Sequence, residues 1–310
     1  MTRNSSVPAG VTYFLRERKT TLRLDEEQES QNIEDRRHFR VSRGGVVGGG
    51  IGTVAVVLIA LFFGVDPSIL LQGNVQEPAS VPQNSSPRSQ GRGGEDEMRQ
   101  FVARVLGSTE RTWTKIFQAG GRTYEKPTLV LFSDAVQSAC GFAEAASGPF
   151  YCGPDHKVYI DLSFYRDLRQ RFDAPGDFAQ AYVIAHEIGH HVQNLLGIMN
   201  KVQVSQSRAT NQQQANALSV RLELQADCLA GIWANYAHRE RNILEPGDVE
   251  EGLNAAAQIG DDRMQKRARG YVVPEGFTHG SAKQRVQWFR RGIESGDLKQ
   301  CDTFATGPIS

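Results

Sequence analysis

The sequence lacks a net charge that would favour nucleic acid. Its 310 residues carry 35 Lys and Arg against 35 Asp and Glu. An excess of positive charge is what draws a protein to a polyanion, so we expect no nucleic-acid partner. Hydrophobic residues make up 39% of the chain, which is enough to fill the core of one or two domains. Internal repeats are also absent.

One long stretch lacks charged residues entirely. From Gly44 to Val65, 22 consecutive residues contain no Asp, Glu, Lys or Arg. About 20 apolar residues span a bilayer, and frequent glycine is more usual in a membrane helix than in a buried core helix, which is the alternative. A cleaved signal peptide fits less well, because the run starts far into the chain and no small-residue cleavage site follows it. We therefore expect a single retained membrane anchor at 44–65.

Basic residues are missing after this run but present before it. Arg36, Arg37, Arg40 and Arg43 precede it without an intervening acid, and the next basic residue is Arg88. Positive charge near a membrane helix marks its cytoplasmic side. We therefore expect a single-pass protein of the cell membrane, with a cytoplasmic N-terminus and a catalytic domain on the periplasmic or extracytoplasmic side.

Cysteine is missing from the first 139 residues, so all four cysteines lie in the part expected to be exported. Oxidising compartments favour disulfides, and four cysteines allow three pairings. We favour Cys140–Cys152, which closes a loop with Gly and Pro, together with Cys228–Cys301. The competing idea, that Cys228 binds metal, is discounted because it lies off the helix face shared by the nearby carboxylates.

The N-terminal region lacks a sustained apolar period. Residues 1–43 are polar with mixed charge, and we expect a largely disordered cytoplasmic tail. Residues 66–96 are rich in Gln, Ser, Pro and Gly, which predicts a flexible linker. The folded domain is then expected to span residues 97–305.

Helical patterns outnumber strand patterns in that domain. A helix is expected from Phe101, with Trp113–Phe117 as its continuation or as a second helix. Two short β patterns follow, at Thr128–Phe132 and Val158–Leu162, and the rest is mainly helical to about Gly292. The sequence thus predicts an α+β domain, mainly helical with a small sheet.

A His-Glu-x-x-His motif follows the strand patterns. The helix expected from Asp177 to Gly197, with its Asp as N-cap and its Gly as stop, contains His186, Glu187 and His190. Positions i and i+4 share a helix face, so both imidazoles can direct a nitrogen at one metal ion. Glu187 is then placed to act as general base toward a metal-bound water. His191 faces about 100° away, and we expect it to pack or to bond to backbone.

A second helix supplies carboxylates. The helix expected from about Gln213 to His238 contains Glu223 and Asp227. A catalytic zinc of the two-His-one-Glu class takes three protein ligands and keeps one position open, so Glu223 is the expected third ligand. Asp227, one turn later, is expected to accept a hydrogen bond from the other ring nitrogen of His186 or His190.

Explanations other than zinc binding also account for a His-Glu-x-x-His motif. A five-residue motif occurs by chance, and a His pair on a helix is often a core pair or a solvated face. The downstream pair Glu223 and Asp227, inside a second convincing helix, favours the catalytic zinc.

Several blocks, in the same order, resemble the bacterial neutral zinc metallopeptidases, the YpfJ-like family. The matching blocks are Glu29–Arg37, Cys140–Gly141, Gly148–Cys152, Val158–Phe164, the motif at His186, Glu223–Cys228 and Phe277–Ser281. The resemblance implies a membrane-anchored zincin fold with an exported catalytic domain. It carries no known substrate, and residues 1–28 extend beyond the pattern.

The segment Phe277–Arg285 is similar to a Thr-His-Pro segment of other membrane-bound proteases with a two-His-one-Glu site. There an Arg follows the His by six residues, as Arg285 follows His279 here, although Gly280 replaces the Pro. The similarity implies that His279 donates a hydrogen bond to the reaction's oxyanion and that Arg285 orients His279 or grips substrate. Alternatively, His279 caps a helix beginning near Ser281 and Arg285 is a surface charge.

Together these patterns predict a zinc-dependent metalloendopeptidase acting on a peptide or protein substrate. Zn²⁺ would be held by His186, His190 and Glu223, with Glu187 as base. Strand 158–162 is expected either to be the sheet edge along which substrate lies or to be an interior strand. One alternative function is a zinc hydrolase of another amide, such as a cell-wall peptide cross-link. Another is a non-catalytic zinc-binding envelope scaffold, which would have no need for Glu187.

Overall fold

Residues 22–38 and 92–305 are described by the structure, a computed structural model. Six strands lie in these ranges: β1 (Ile33–Asp35), β2 (Thr128–Phe132), β3 (Ala135–Ser138), β4 (Gly141–Glu144), β5 (Phe150–Cys152) and β6 (Lys157–Asp161). The α-helices of the same ranges are α1 (Arg92–Ala119), α2 (Phe164–Gln170), α3 (Asp177–Leu195), α4 (Ile198–Ser207), α5 (Gln212–Arg241), α6 (Asp248–Gln258), α7 (Asp261–Arg269) and α8 (Ala282–Ser295). A mainly helical α+β architecture with a small sheet is confirmed.

The predicted anchor at 44–65 lies outside the described residues. Within the described ranges, no helix is both long and apolar enough to cross a bilayer. The predicted linker 66–96 overlaps the fold, because α1 already begins at Arg92. α1 also runs without a break, so Phe101 and Trp113 lie in one helix.

The main sheet has four strands in the order β1-β2-β6-β5. β1, β2 and β6 run parallel, and β5 runs antiparallel to β6. β6 is therefore an interior strand, and the prediction that this segment forms the free edge is wrong. Its residues Val158, Tyr159 and Ile160 are all buried, as expected for a strand covered on both faces. The edge that contacts α3 is β5.

Helices α3, α5 and α8 pack at the centre of the domain. Glycines lie where these helices come closest. A Cβ on Gly189 of α3 would lie 2.9 Å from the carbonyl oxygen of Ala226 in α5, and a Cβ on Gly292 of α8 would overlap the backbone at Cys228. Only a residue without a side chain allows such approaches. Because of these close approaches, α3 and α8 can both bring side chains against the turn of α5 that contains residues 223–227.

Residues 22–38 belong to the folded domain, which corrects the prediction of a disordered N-terminal tail in this part. Leu22 and Leu24 are buried in the main core, and β1 pairs with β2. Ser30 donates a hydrogen bond of 2.6 Å to Glu110 of α1. The segment has no apolar period because backbone pairing with β2 and polar contacts with α1 attach most of it to the domain. The predicted membrane crossing and its orientation fall on residues outside the described ranges and stay predictions.

Helix α3, which contains the His-Glu-x-x-His motif, begins slightly differently from the prediction and ends as predicted. Gly176 is the N-cap of α3, and Asp177 is the first helical residue rather than the cap. The Asp177 carboxylate instead accepts a hydrogen bond of 2.8 Å from the backbone of Leu22. Gly197, with a left-handed φ of 73°, follows the end of the helix as predicted.

Both predicted disulfides are confirmed. Cys140–Cys152 joins the turn between β3 and β4 to β5, and Cys228–Cys301 joins α5 to the C-terminal segment. Since Cys228 is bonded to sulfur, it is excluded as a metal ligand.

Candidate metal centre

α3 and α5 bring three metal-binding side chains to one point. His186, His190 and Glu223 each offer a ligand atom, and these atoms lie within 4.8 Å of one another. The Nε2 atoms of His186 and His190 face the Glu223 carboxylate at 3.1 and 3.4 Å. Two imidazoles and one carboxylate are the donor set of a catalytic zinc that keeps an open position. The residues present therefore fit zinc.

The second nitrogen of each imidazole is held by a fixed acceptor. Nδ1 of His186 donates to Asp227 at 2.8 Å, and Nδ1 of His190 donates to the Gln193 side-chain oxygen at 2.8 Å. When the ring is neutral and its proton lies on Nδ1, each imidazole can present the Nε2 lone pair to a metal ion at the shared point. Burial lowers the pKa of His186, but the Asp227 carboxylate outweighs burial and raises that pKa to about 9. Metal binding at this point would therefore compete with protonation of the ring.

Asp227 is fully buried beneath the first ligand. It accepts a hydrogen bond of 2.6 Å from the Tyr182 hydroxyl and two of 2.9 Å from the Arg285 guanidinium. Burial raises the pKa of Asp227, but Arg285 and His186 outweigh burial and hold it below its usual range. Asp227 thus stays an anion that can accept the Nδ1 proton of His186.

Arg285 lies behind the ligands rather than on the surface. It is 1% exposed, so the alternative that it is a surface charge is wrong. Besides Asp227, its guanidinium donates to the Tyr182 hydroxyl at 3.2 Å and to the Ile259 carbonyl at 3.3 Å. These contacts turn the guanidinium inward, away from a position that would grip substrate.

Glu187 follows the first ligand in sequence and lines the same cavity. It is 8% exposed. Burial raises the pKa of Glu187, although His186 and His190 beside it oppose the shift. A carboxylate with a raised pKa is a stronger base than one in water, and its place beside the ligands suits proton transfer.

A loop before α8 brings His279 to this cavity. The backbone N–H groups of Thr278, His279 and Gly280 donate to one Asp261 oxygen at 2.8, 2.6 and 2.9 Å. The other Asp261 oxygen lies 3.4 Å from Nδ1 of His279. Ser281 is the N-cap of α8, so the alternative that His279 caps this helix is wrong.

His191 makes backbone contact, as the sequence predicted. It is fully buried, and its Nε2 donates to the Glu125 carbonyl at 2.7 Å. Burial lowers the pKa of His191 to about 4. His191 therefore belongs to the packing around the site and not to the ligand set.

The cavity that holds these groups has a volume of 260 Å³. Most of its wall outside the metal-binding residues is apolar. The apolar lining includes Phe150, Phe164, Val183, Leu222 and Ile259.

Sequence reasoning missed three residues of the site: Tyr182, Gln193 and Asp261. Tyr182 and Gln193 had a usable signal, since they lie four residues before His186 and three after His190, spacings that share a helix face. Asp261 had none, because only the folded chain brings the start of α7 beneath the loop of His279.

Comparison with known proteins places the chain in a family. Residues 22–304 match the family described as "Putative neutral zinc metallopeptidase". The chain is 47% identical over 294 residues to "Uncharacterized protein YpfJ" of Escherichia coli K12, which covers 91% of this chain and 99% of that protein. It is 40% identical over 266 residues to "Uncharacterized protein Mb2605" of Mycobacterium bovis and "Uncharacterized protein Rv2575" of Mycobacterium tuberculosis, covering 81% of this chain and 86% of each. The chain therefore belongs to this zinc metallopeptidase family. No solved structure matches it significantly.

Proposed function

We propose that this protein is a zinc-dependent endopeptidase that cleaves peptide bonds in protein substrates. The observation that carries the proposal is the convergence of His186, His190 and Glu223 within 4.8 Å, with Glu187 on the wall of the same cavity. Zinc bound there would polarise a substrate carbonyl and activate a water molecule. A structural zinc is closed by a fourth protein ligand, whereas the described part of the chain supplies three at this point.

Each surrounding residue has its own role in this proposal. Glu187 takes the proton of the attacking water and passes it to the leaving amine. His279 donates a hydrogen bond to the negative charge that develops on the substrate oxygen, and Asp261 holds the loop that carries it. Asp227 orients the His186 ring, and Arg285 keeps Asp227 ionised.

The cavity wall favours an apolar substrate side chain beside the scissile bond. Phe150, Phe164 and Leu222 lie on this wall, and burying apolar groups against them is favourable. Arg285 also lines the cavity, but its guanidinium donates to Asp227. Because this guanidinium is already paired, the proposal favours cleavage within a chain over removal of a C-terminal residue, whose free carboxylate would need an available cation.

We also propose that the enzyme works outside the cytoplasm. The protein has two disulfides. Disulfides form and persist in oxidising compartments and are rare in the cytosol. Attachment to the cell membrane through residues 44–65 stays a prediction from the sequence.

Metal removal and reloading test the proposal. Protein stripped with 1,10-phenanthroline is incubated with denatured β-casein before and after zinc is returned, and mass spectrometry counts new peptide termini. We expect about one zinc per chain, with cleavage lost on stripping and restored on reloading.

Two variants sharpen this experiment. His186→Ala should fail both to bind zinc and to cleave. His238→Ala, at the exposed end of α5, should do both normally. A zinc-loaded wild-type protein that produces no new termini, from casein or from extracted envelope proteins, would contradict the endopeptidase proposal.

A further inference from the structure

β5 is the sheet edge next to the metal centre. It ends the sheet order β1-β2-β6-β5, and Pro149, Phe150 and Tyr151 line the cavity that contains the ligands. An extended peptide can bind a protein by adding a strand to an exposed sheet edge. Under the proposed function, β5 is therefore the sheet edge available for an extended substrate to pair with.

The Tyr151 side chain points from β5 toward helix α3. Its hydroxyl lies 3.0 Å from Nδ1 of His191 and accepts a hydrogen bond of 3.0 Å from the Asn194 amide. The same Asn194 amide donates to the carbonyl of Gly153 at 3.2 Å, just after β5. Two residues of α3 thus hold both a side chain of β5 and the backbone that follows it.

The hydrogen bonds around His191 have one consistent set of directions. The Glu125 carbonyl can only accept, so Nε2 of His191 carries the proton. Nδ1 then accepts the proton of the Tyr151 hydroxyl, whose oxygen accepts from Asn194. Every donor in this series of hydrogen bonds has an acceptor. A network that is satisfied in this way holds its side chains in place.

The packing around His191 leaves little room for adjustment. The rings of Tyr124 and Tyr151 meet the His191 ring edge-on, with centroids 5.6 and 5.4 Å away. His191 also follows the ligand His190 directly, and adjacent helix positions face about 100° apart. One turn of α3 therefore directs the His190 imidazole at the candidate metal site and the His191 imidazole at Tyr151 of β5.

We propose that Tyr151, His191 and Asn194 form a clamp that fixes the position of the β5 edge relative to the metal centre. This inference rests on the proposed function. The three are positioning residues, because none of them binds the metal or moves a proton in the reaction. A misplacement of about 1 Å between substrate and catalytic groups is enough to cost roughly 10²-fold in rate.

Tyr151→Phe tests the clamp, because it removes the hydroxyl and keeps the ring. The probes are two fluorescence-quenched peptides built around one bond that the wild type cleaves in β-casein, a tetrapeptide and a decapeptide. If the proposal holds, the decapeptide is long enough to extend along β5, whereas the tetrapeptide would occupy mainly the cavity. We expect kcat/KM to fall by about 10-fold or more for the decapeptide and far less for the tetrapeptide, with zinc content unchanged.

Tyr165→Phe is the matched control, since the Tyr165 hydroxyl is buried and has no hydrogen-bond partner among the described residues. It should match the wild type on both peptides. His191→Gln keeps an acceptor for Tyr151 and should retain more decapeptide cleavage than His191→Ala. Asn194→Ala gives a second route to the same length-dependent loss if Tyr151→Phe folds poorly.

The outcomes separate the two proposals. Equal losses on both peptides in Tyr151→Phe, or rates equal to those of Tyr165→Phe, overturn the clamp while leaving the peptidase intact. A wild-type protein that cleaves neither peptide nor casein overturns the proposed function, and the clamp with it.

Discussion

At the scale of single residues, the pair of Asp227 and Arg285 shows what a buried charge does in this site. Both side chains are at most 1% exposed. A buried ion pair adds little net stability, but removing one partner costs about 3–5 kcal/mol because the other charge is left unpaired. The pair is therefore better understood as an orienting device, since Asp227 fixes the His186 ring through Nδ1.

His279→Ala should lower turnover by about 10²-fold or more, because a hydrogen bond to the developing negative charge is lost. Zinc content and thermal stability should stay nearly unchanged. Steady-state kinetics, metal analysis and thermal unfolding of the same preparation check this, with His238→Ala as the histidine control. Unchanged activity, or a loss explained by unfolding, would return the segment to a structural role.

At the scale of elements, close helix packing places the ligands. α3 carries two of them and α5 the third, and the two helices approach at Gly189 and Ala226. A methyl group at Gly189 would meet the α5 backbone and push the two ligand-bearing faces apart. The arrangement of the three candidate ligands therefore depends on Gly189, which is not itself a ligand.

A carboxylate cluster joins the start of α3 to α6. Asp177, Asp248 and Glu251 have oxygens within 4.8 Å of one another. Burial, reinforced by the neighbouring carboxylates, raises the pKa of Glu251 to about 7. Burial likewise raises the pKa of Asp248 to about 6. Gly176 makes room for Glu251, because a Cβ there would overlap the carboxylate.

The cluster predicts an unusual pH dependence. A Glu251 pKa of about 7 in the folded state exceeds the value of 4.5 expected without the fold. Between these values the folded state binds more protons than the unfolded state, so this group's contribution to stability falls as pH rises from roughly 4.5 to 7. Glu251→Gln should remove that loss and stabilise the protein at pH 8 relative to wild type.

Denaturant unfolding at pH 4 and pH 8 measures the effect. We expect a gain of about 1 kcal/mol or less at pH 8, since solvent screens this partly exposed group, and no gain at pH 4. Glu250→Gln, an exposed neighbour on α6, is the control. The same gain at both pH values, or a loss at pH 8, would refute the prediction.

At the scale of the whole molecule, the N-terminal segment and the metal-binding domain form one body. β1 pairs with β2, and Arg99 of α1 lies 3.8 Å from Asp35. Arg37 lies 3.8 Å from Glu95, so the two described stretches meet where the first ends and the second begins. These contacts predict that residues 22–38 and 92–305 lie on the same side of any membrane.

Cysteine labelling in cells tests this arrangement. Asp25→Cys and Gln203→Cys place thiols at exposed positions in the two stretches. With the cell membrane intact, a membrane-impermeant maleimide should label both or neither, and it should label both after lysis. Labelling of one position alone in intact cells would show that a membrane separates them.

Local sequence patterns predicted the residues of the candidate metal centre but not the strand order and helix packing around it. His186 and His190 share a helix face by spacing, and Glu223 and Asp227 repeat that spacing on a second helix, so four positions could be assigned. β1 and β5 have three residues each, too few for an alternation to stand out. The interior position of β6 and the burial of Arg285 depend on the order of strands and on helix packing, which neighbouring residues do not encode.

Hydrolysis by Glu187→Gln is the most direct test of the central claim. The substitution removes the proposed base and leaves the three ligands in place, so zinc content should equal that of the wild type. Turnover of the β-casein decapeptide should fall by at least about 10²–10⁴-fold, whereas Glu250→Gln should match the wild type. A zinc-loaded Glu187→Gln protein that turns over near the wild-type rate would contradict the account.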